Sequence, residues 1–180
     1  MRDDPQLLEQ ACLNAAEGND MIITSGGVSV GAADYVTEVL QRLGQVNFWK
    51  VAIKPGRPLM FGKIRNALFF GLPGNPVSAT VTFYQFVQPA LQRLSGQTPA
   101  PKLRFTVPCL TPLKKSPGRL EFQRGILETN VQGQLVVRST GQQESGILSS
   151  MSQANCFIIL PLEAGNIAAG SEVLVEPFLS

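Results

Sequence analysis

Three short motifs in this chain carry residue types that could do chemistry. They are SGGVSVGAAD (residues 25–34), KVAIKPGRP (50–58) and GLPGNPVSA (71–79). The first and third are Gly-rich turns, each leading from an apolar run into a helical pattern. Such turns leave backbone N–H groups unpaired at the positive end of a helix, an arrangement that suits phosphate and other oxyanions. In the first, Gly26, Gly27 and Gly31 permit close backbone approach, and Ser25 and Ser29 add hydroxyls; the alternative is an ordinary strand-to-helix turn. In the third, Pro73 and Pro76 stiffen the turn, Gly71 and Gly74 keep it slim, Asn75 caps the next helix and Ser78 lies in its first turn. Between them, Lys50 and Lys54 have even spacing and face one way if the segment is extended. Pro55-Gly56 then turns the chain and Arg57 follows, so this loop reads as an oxyanion clamp or as plain surface charge.

Two acids stand beside these motifs. Asp34 opens a helix, as a cap or as a ligand of Mg²⁺ next to bound phosphates. Asp3 and Asp4 precede another helix; Asp4 reads as its cap, which leaves Asp3 for a second acidic role. No Asp or Glu lies between Glu38 and Glu121, an interval with twelve Lys or Arg, although the net charge is only +2. An anion entering that region meets little repulsion. The basic residues are dispersed and the aromatics sit in strand-like runs, so a small anion is favoured over nucleic acid.

The chain contains no histidine, which removes Ser-His-Asp and Cys-His catalysis and any His-ligated metal. Cys12, Cys109 and Cys156 are odd in number and far apart, as buried thiols of a cytoplasmic protein would be. The first residues lack a signal-peptide pattern and no run of 18 apolar residues occurs, so no membrane span is expected.

These motifs must be positioned by alternating elements. Helical stripes fall at residues 5–16 and 33–43 and from Pro76 toward Leu94, with Pro89 expected to kink or break the last. Apolar strands fall at 21–24, 46–51, 59–61 and 67–70. The pattern predicts a three-layer α/β unit with a mainly parallel sheet over residues 1–98. A linker, SGQTPAPK, follows. From residue 102 to 180 short alternating runs (103–107, 120–125, 135–138, 156–160 and 172–176) predict an all-β barrel or sandwich. There GRLEFQRG (118–125) offers Arg124 as a guanidinium fork, and TGQQESGILSS (140–150) places Ser145 in a polar turn. Taken alone, both are ordinary strand-end residues.

Taken together and in order, DDP, TSGGVSVGAADY, FWKVAIKPGRP, GLPGNPVSA, PGRLEFQRG, TGQQESG and the closing VEPF resemble the molybdopterin molybdenumtransferase family. The bacterial enzyme and the corresponding domain of gephyrin are members. The resemblance covers almost all 180 residues. It implies the later part of an α/β domain similar to the molybdopterin adenylyltransferases, then a C-terminal β domain. It implies insertion of molybdate into adenylylated molybdopterin with release of AMP, assisted by Mg²⁺. By position, Asp34 matches the acid tied to magnesium and phosphoanhydride cleavage, and Asp3 a second active-site acid. Lys50, Lys54, Arg124 and Ser145 match residues implied in holding molybdate, and the two Gly-rich turns match those lining the nucleotide and pterin cleft. The family is dimeric, and molybdopterin adenylyltransferase is a possible partner. Two N-terminal domains of the family, and the opening strand of its α/β domain, have no counterpart here. The isolated chain is therefore expected to have impaired turnover; the alternative is a non-catalytic binding fragment or a dimeric scaffold module.

Overall fold

A computed structural model describes residues 4–26, 33–144 and 146–178, with only the backbone at 33–35. The chain divides into two compact units, residues 1–51 with 56–99, and residues 52–55 with 100–180. The short segment 52–55 thus leaves the α/β part, within which the sequence pattern had put it.

The first unit contains α1 (Pro5–Ala16), β1 (Met21–Ser25), α2 (Ala33–Leu43) and β2 (Gly44–Lys50). Asp4 caps α1, its Oδ1 accepting from the N–H of Gln6 and Leu7. After β3 (Ile53–Lys54), which belongs to the second unit, come β4 (Pro58–Ile64), β5 (Ala67–Leu72) and α3 (Pro76–Thr82). The sheet order is β1-β5-β4-β2. Only β1 and β5 run parallel; β5–β4 and β4–β2 are antiparallel. The sheet is mixed rather than mainly parallel, because β2, β4 and β5 follow one another through short loops with no crossover helix.

Alternation along the strands gives two apolar faces. Ile22, Val46, Met60, Ile64 and Phe69 pack with Cys12 and Ala16 of α1 and Val36 and Leu40 of α2. Leu59, Phe70 and Leu72 pack with Val87 and, less buried, Phe83 and Phe86. Helices on both faces make three layers. Toward the β2 edge of the second face an apolar groove of about 460 Å³ remains open, with Trp49 and Phe61 in its lining.

Pro89 does not break the last helix. Between α3 and α4 (Gln88–Leu94) the backbone widens into a π segment, Phe83–Val87, and the N–H of Gln88 reaches back five residues to the Phe83 carbonyl. The wider turn accommodates the proline that an ordinary α-turn would exclude.

The second unit contains β3, β6 (Phe105–Pro108), β7 (Leu120–Thr129), β8 (Leu135–Ser139), α5 (Ser149–Gln153), β9 (Cys156–Leu160) and β10 (Glu172–Pro177). The order is β3-β7-β9-β10-β6, and β8 pairs with β7. A bridge between Cys109 and Val137 joins the end of β6 to β8, closing the ring as a small barrel. Its core includes Val107, Val137, Ile158, Leu160 and Val175. All three cysteines are free and buried, and burial pushes the Cys156 thiol up to about 12. Among the described residues no helix is long and apolar enough to cross a membrane.

Candidate functional site

Each unit carries its own cluster of candidate residues. In the first, the two Gly-rich turns meet at the carboxyl ends of the parallel pair β1 and β5. Gly26 has φ of 91°, and its N–H donates to the Leu72 carbonyl at 3.1 Å. The Ser25 hydroxyl donates to the Pro73 carbonyl at 3.3 Å. A Cβ on Gly74 would lie 3.3 Å from the Gly26 Cα, so glycine at 74 lets the turns touch, while the positive φ of Gly26 is what a side chain there would disfavour. Asn75 caps α3, its Oδ1 accepting from the N–H of Val77 (3.1 Å) and Ser78 (3.3 Å). Pro76 occupies the first helical turn, as its missing N–H permits. Gly71 belongs to β5 itself, and Ser78 is buried. Gly27, Ser29, Gly31 and Asp3 lie outside the described residues, as does the side chain of Asp34. The backbone of Asp34 forms the second residue of α2.

Lys50 ends β2 in the first sheet, whereas Lys54 ends β3 in the second. Two non-strand residues break the extended path between them, so even spacing does not set their directions. Lys50 and Arg57 are exposed. Pro55 follows a cis peptide bond, and Gly56 takes a φ of 104° that a side chain would disfavour.

In the second unit, Lys54 stands beside Glu121 in the β3–β7 register, and its Nζ lies 3.0 Å from Glu121 Oε1. Glu121 is buried, and its Oε2 accepts from Gln123 Nε2 at 3.1 Å. The acid-free interval is therefore acid-free only along the chain. Glu9, Glu17, Glu121 and Glu176 come from outside it to pair with Arg42, Arg65, Lys54, and both Lys102 and Arg104.

Arg124 differs from these. It is 1% exposed, and no carboxylate among the described residues pairs with it. Its Nε donates to Ser150 Oγ at 3.0 Å and its Nη2 to the Glu144 carbonyl at 3.1 Å. Burial pushes the guanidinium down to about 10, so it remains charged at neutral pH. One side of the fork is taken by the protein itself, and Nη1 has no partner among the described residues. A desolvated cation without a carboxylate is an electrostatic vacancy that an oxyanion can fill. Ser145 lies outside the described residues, but its neighbour Glu144 is held directly by Arg124.

A model of a probable molybdopterin binding domain matches residues 1–93, and one of the MoeA C-terminal region (domain IV) matches residues 106–178. The chain belongs to the MoeA/gephyrin family of molybdenum cofactor biosynthesis. It is 52% identical to the molybdopterin molybdenumtransferase of Haemophilus influenzae, over 98% of this chain and 44% of that protein. It is 37% identical to the gephyrin of Dictyostelium discoideum, over 95% of this chain and 27% of that protein. A MoeA structure from Pyrococcus horikoshii superposes with a TM-score of 0.79 at 28% identity, over 99% of this chain and 42% of that one. This family member thus spans less than half the length of the curated relatives it matches.

Glu121, Gln143 and Ser150 were not singled out by sequence. Glu121 and Gln143 stand inside the motifs GRLEFQRG and TGQQESGILSS, and Ser150 closes the second, but their contacts span 67, 19 and 26 residues. No local spacing announces such pairs.

Proposed function

We propose that this chain forms the later α/β portion and the C-terminal barrel of a molybdopterin molybdenumtransferase. The enzyme would insert molybdate into adenylylated molybdopterin and release AMP. The observation that carries this reading is Arg124, a buried cation whose only hydrogen-bond partners among the described residues are neutral. Molybdate is a tetrahedral dianion, and a guanidinium presented by buried backbone binds it through charge-assisted hydrogen bonds. Lys54, held by Glu121, contributes two further ammonium donors. Ser145 is assigned to the same oxyanion on the resemblance.

The first unit would bind the adenylyl phosphate and the pterin. Gly74 keeps the chain slim, and Ser25 and Asn75 fix the two turns through their side-chain hydrogen bonds, at the strand-to-helix turns where the ligand would approach. Asp34 is the residue of this chain that would hold Mg²⁺, with Asp3 as the second acid. Bound there, Mg²⁺ would supply charge neutralisation for phosphoanhydride cleavage. The remaining expectations are a homodimer acting in the cytoplasm and supply of the nucleotide by a molybdopterin adenylyltransferase.

A second reading is a module that binds nucleotide or molybdate without turnover, since a buried guanidinium and Gly-rich turns serve binding alone equally well. One assay separates the two. The chain is mixed with adenylylated molybdopterin, Mg²⁺ and molybdate, and AMP release is measured. AMP formation that Asp34→Ala abolishes supports the enzyme reading. Ligand binding without AMP leaves the binding module.

A further inference from the structure

Strand β7 has two neighbours on one of its edges, with a gap between them. The Leu120 N–H donates to the Ala52 carbonyl on the β3 side, and the Thr140 N–H donates to the Arg124 carbonyl where β8 ends. Along β7, pairing with β3 ends at Glu121 and pairing with β8 starts at Gly125, so Arg124 falls between them. A side chain fills the gap. The Arg124 N–H donates to Gln143 Oε1 at 2.7 Å, and Gln143 Nε2 donates to the Arg124 carbonyl at 3.0 Å. A carboxamide carries the same donor and acceptor as a peptide, so Gln143 stands where a strand residue would. The Gln143 Nε2 also reaches Ser139 Oγ (2.9 Å) and Thr140 Oγ1 (3.2 Å), tying the amide to the end of β8.

We propose that Gln143 is a positioning residue for the oxyanion site, clamping the 139–144 segment to β7 so that the Arg124 guanidinium keeps one aim. This rests on the reading of Arg124 as an oxyanion ligand. The geometry is reciprocal. The backbone of Arg124 is gripped by Gln143 and Thr140, and its side chain grips Glu144 and Ser150. Releasing Gln143 frees residues 140–144 from β7, and the carbonyl that occupies Nη2 moves with them. The fork then loses its fixed direction toward a tetrahedral dianion, while its charge stays.

The barrel contains its own control. On the opposite edge of β7, Asn155 makes the same two-way pairing with Leu127, at 2.7 Å and 2.8 Å. Asn155→Leu deletes an equivalent pair of hydrogen bonds away from the guanidinium. Molybdate titration by calorimetry and denaturant unfolding are run on the full chain, on Gln143→Leu and on Asn155→Leu. Gln143→Leu is expected to weaken molybdate binding about tenfold, the scale of one well-aligned hydrogen bond, with Asn155→Leu within about twofold of the parent. Equal losses in both variants, or parental affinity in Gln143→Leu, would overturn the proposal. If Gln143→Leu does not fold, Gln143→Glu serves instead. It keeps the acceptor for the Arg124 N–H and removes the donor to its carbonyl. Amide exchange of residues 139–144, measured without ligand, is expected to accelerate in the Gln143 variants alone; unchanged exchange overturns the clamp. Accelerated exchange in a chain whose parent takes up no molybdate overturns the oxyanion reading and Gln143's role in it, while leaving the clamp measured.

Discussion

The two clusters differ in what they would offer an anion. Around Gly26 and Gly74 the first unit presents main chain, and no charged side chain enters the described contacts between the two turns. Around Arg124 and Lys54 the second unit presents charge, backed by neutral acceptors in one case and a buried acid in the other. Backbone N–H groups are permanent and need only a shape that lets the ligand approach. Side-chain charges must be desolvated, aimed and balanced, which demands partners from distant parts of the sequence. The first arrangement is thus written in local glycines and prolines, the second in long-range contacts.

The strongest way to break the comparison is to remove the scaffold of one unit alone. A Cβ on Gly62 would overlap the Gln45 carbonyl and the Val46 Cα of the paired strand β2, both backbone atoms that cannot swing away. Gly62→Ala is expected to destabilise the first unit by more than about 3 kcal/mol. Differential scanning calorimetry should show an early transition for that unit with the barrel transition retained. Loss of both together would mean that the units do not melt independently.

Next in size is the buried charge. Arg124→Met keeps an unbranched side chain and deletes the cation, so molybdate binding should fall at least about tenfold. Phosphate-dependent binding to the first unit should be unchanged. The pH dependence sharpens the assignment. The lowered guanidinium is still protonated at pH 7 and loses its proton only as pH rises through about 10. Oxyanion affinity in the second unit should therefore hold through pH 9 and decline above it. Because the folded value lies below that of the unfolded chain, burial of this charge opposes folding below about 10, and the opposition fades above it. A bound dianion offsets it, so molybdate should raise the melting temperature of the parent but not of Arg124→Met.

Much of the architecture was legible because it is local. Asn75-Pro76 marks a cap and a first turn, and the structure uses Asn75 Oδ1 in that way. The apolar run at 156–160 is strand β9, and 33–43 is helix α2. The sheet direction was not legible, since β2, β4 and β5 have helix-free connections that an alternating α/β pattern conceals. Nor was the charge balance, because Glu121 and Glu176 return from far along the chain to neutralise an apparently acid-free stretch. Gln143 illustrates the same limit. An amide replacing a strand residue has no periodicity to betray it.

A smaller effect tests the balance of Lys54 and Glu121. Glu121 is 4% exposed at its side chain, so removing Lys54 leaves a buried carboxylate with one amide donor among the described contacts. Lys54→Met should destabilise the barrel by about 1–3 kcal/mol in denaturant unfolding. Adding Glu121→Gln to it should restore most of that loss. If the double variant is no better than Lys54→Met, the pair is a surface contact and Lys54 is free to meet an anion without it.

The smallest expected change concerns the cap of α3, and it separates its two roles. Asn75→Ala removes the acceptor for the Val77 and Ser78 N–H groups and should lower stability by about 1 kcal/mol. Asn75→Asp caps a helix as well as asparagine does, so stability should stay within about 0.5 kcal/mol of the parent. The aspartate nonetheless puts a negative charge where the first unit would meet a phosphate. Nucleotide binding, followed by fluorescence or calorimetry, should therefore weaken several-fold in Asn75→Asp, and more so at low salt, where a charge effect is least screened. A variant that keeps both stability and nucleotide affinity would show that the turn serves α3 alone. The main-chain half of the comparison would then fail, while the guanidinium half stands.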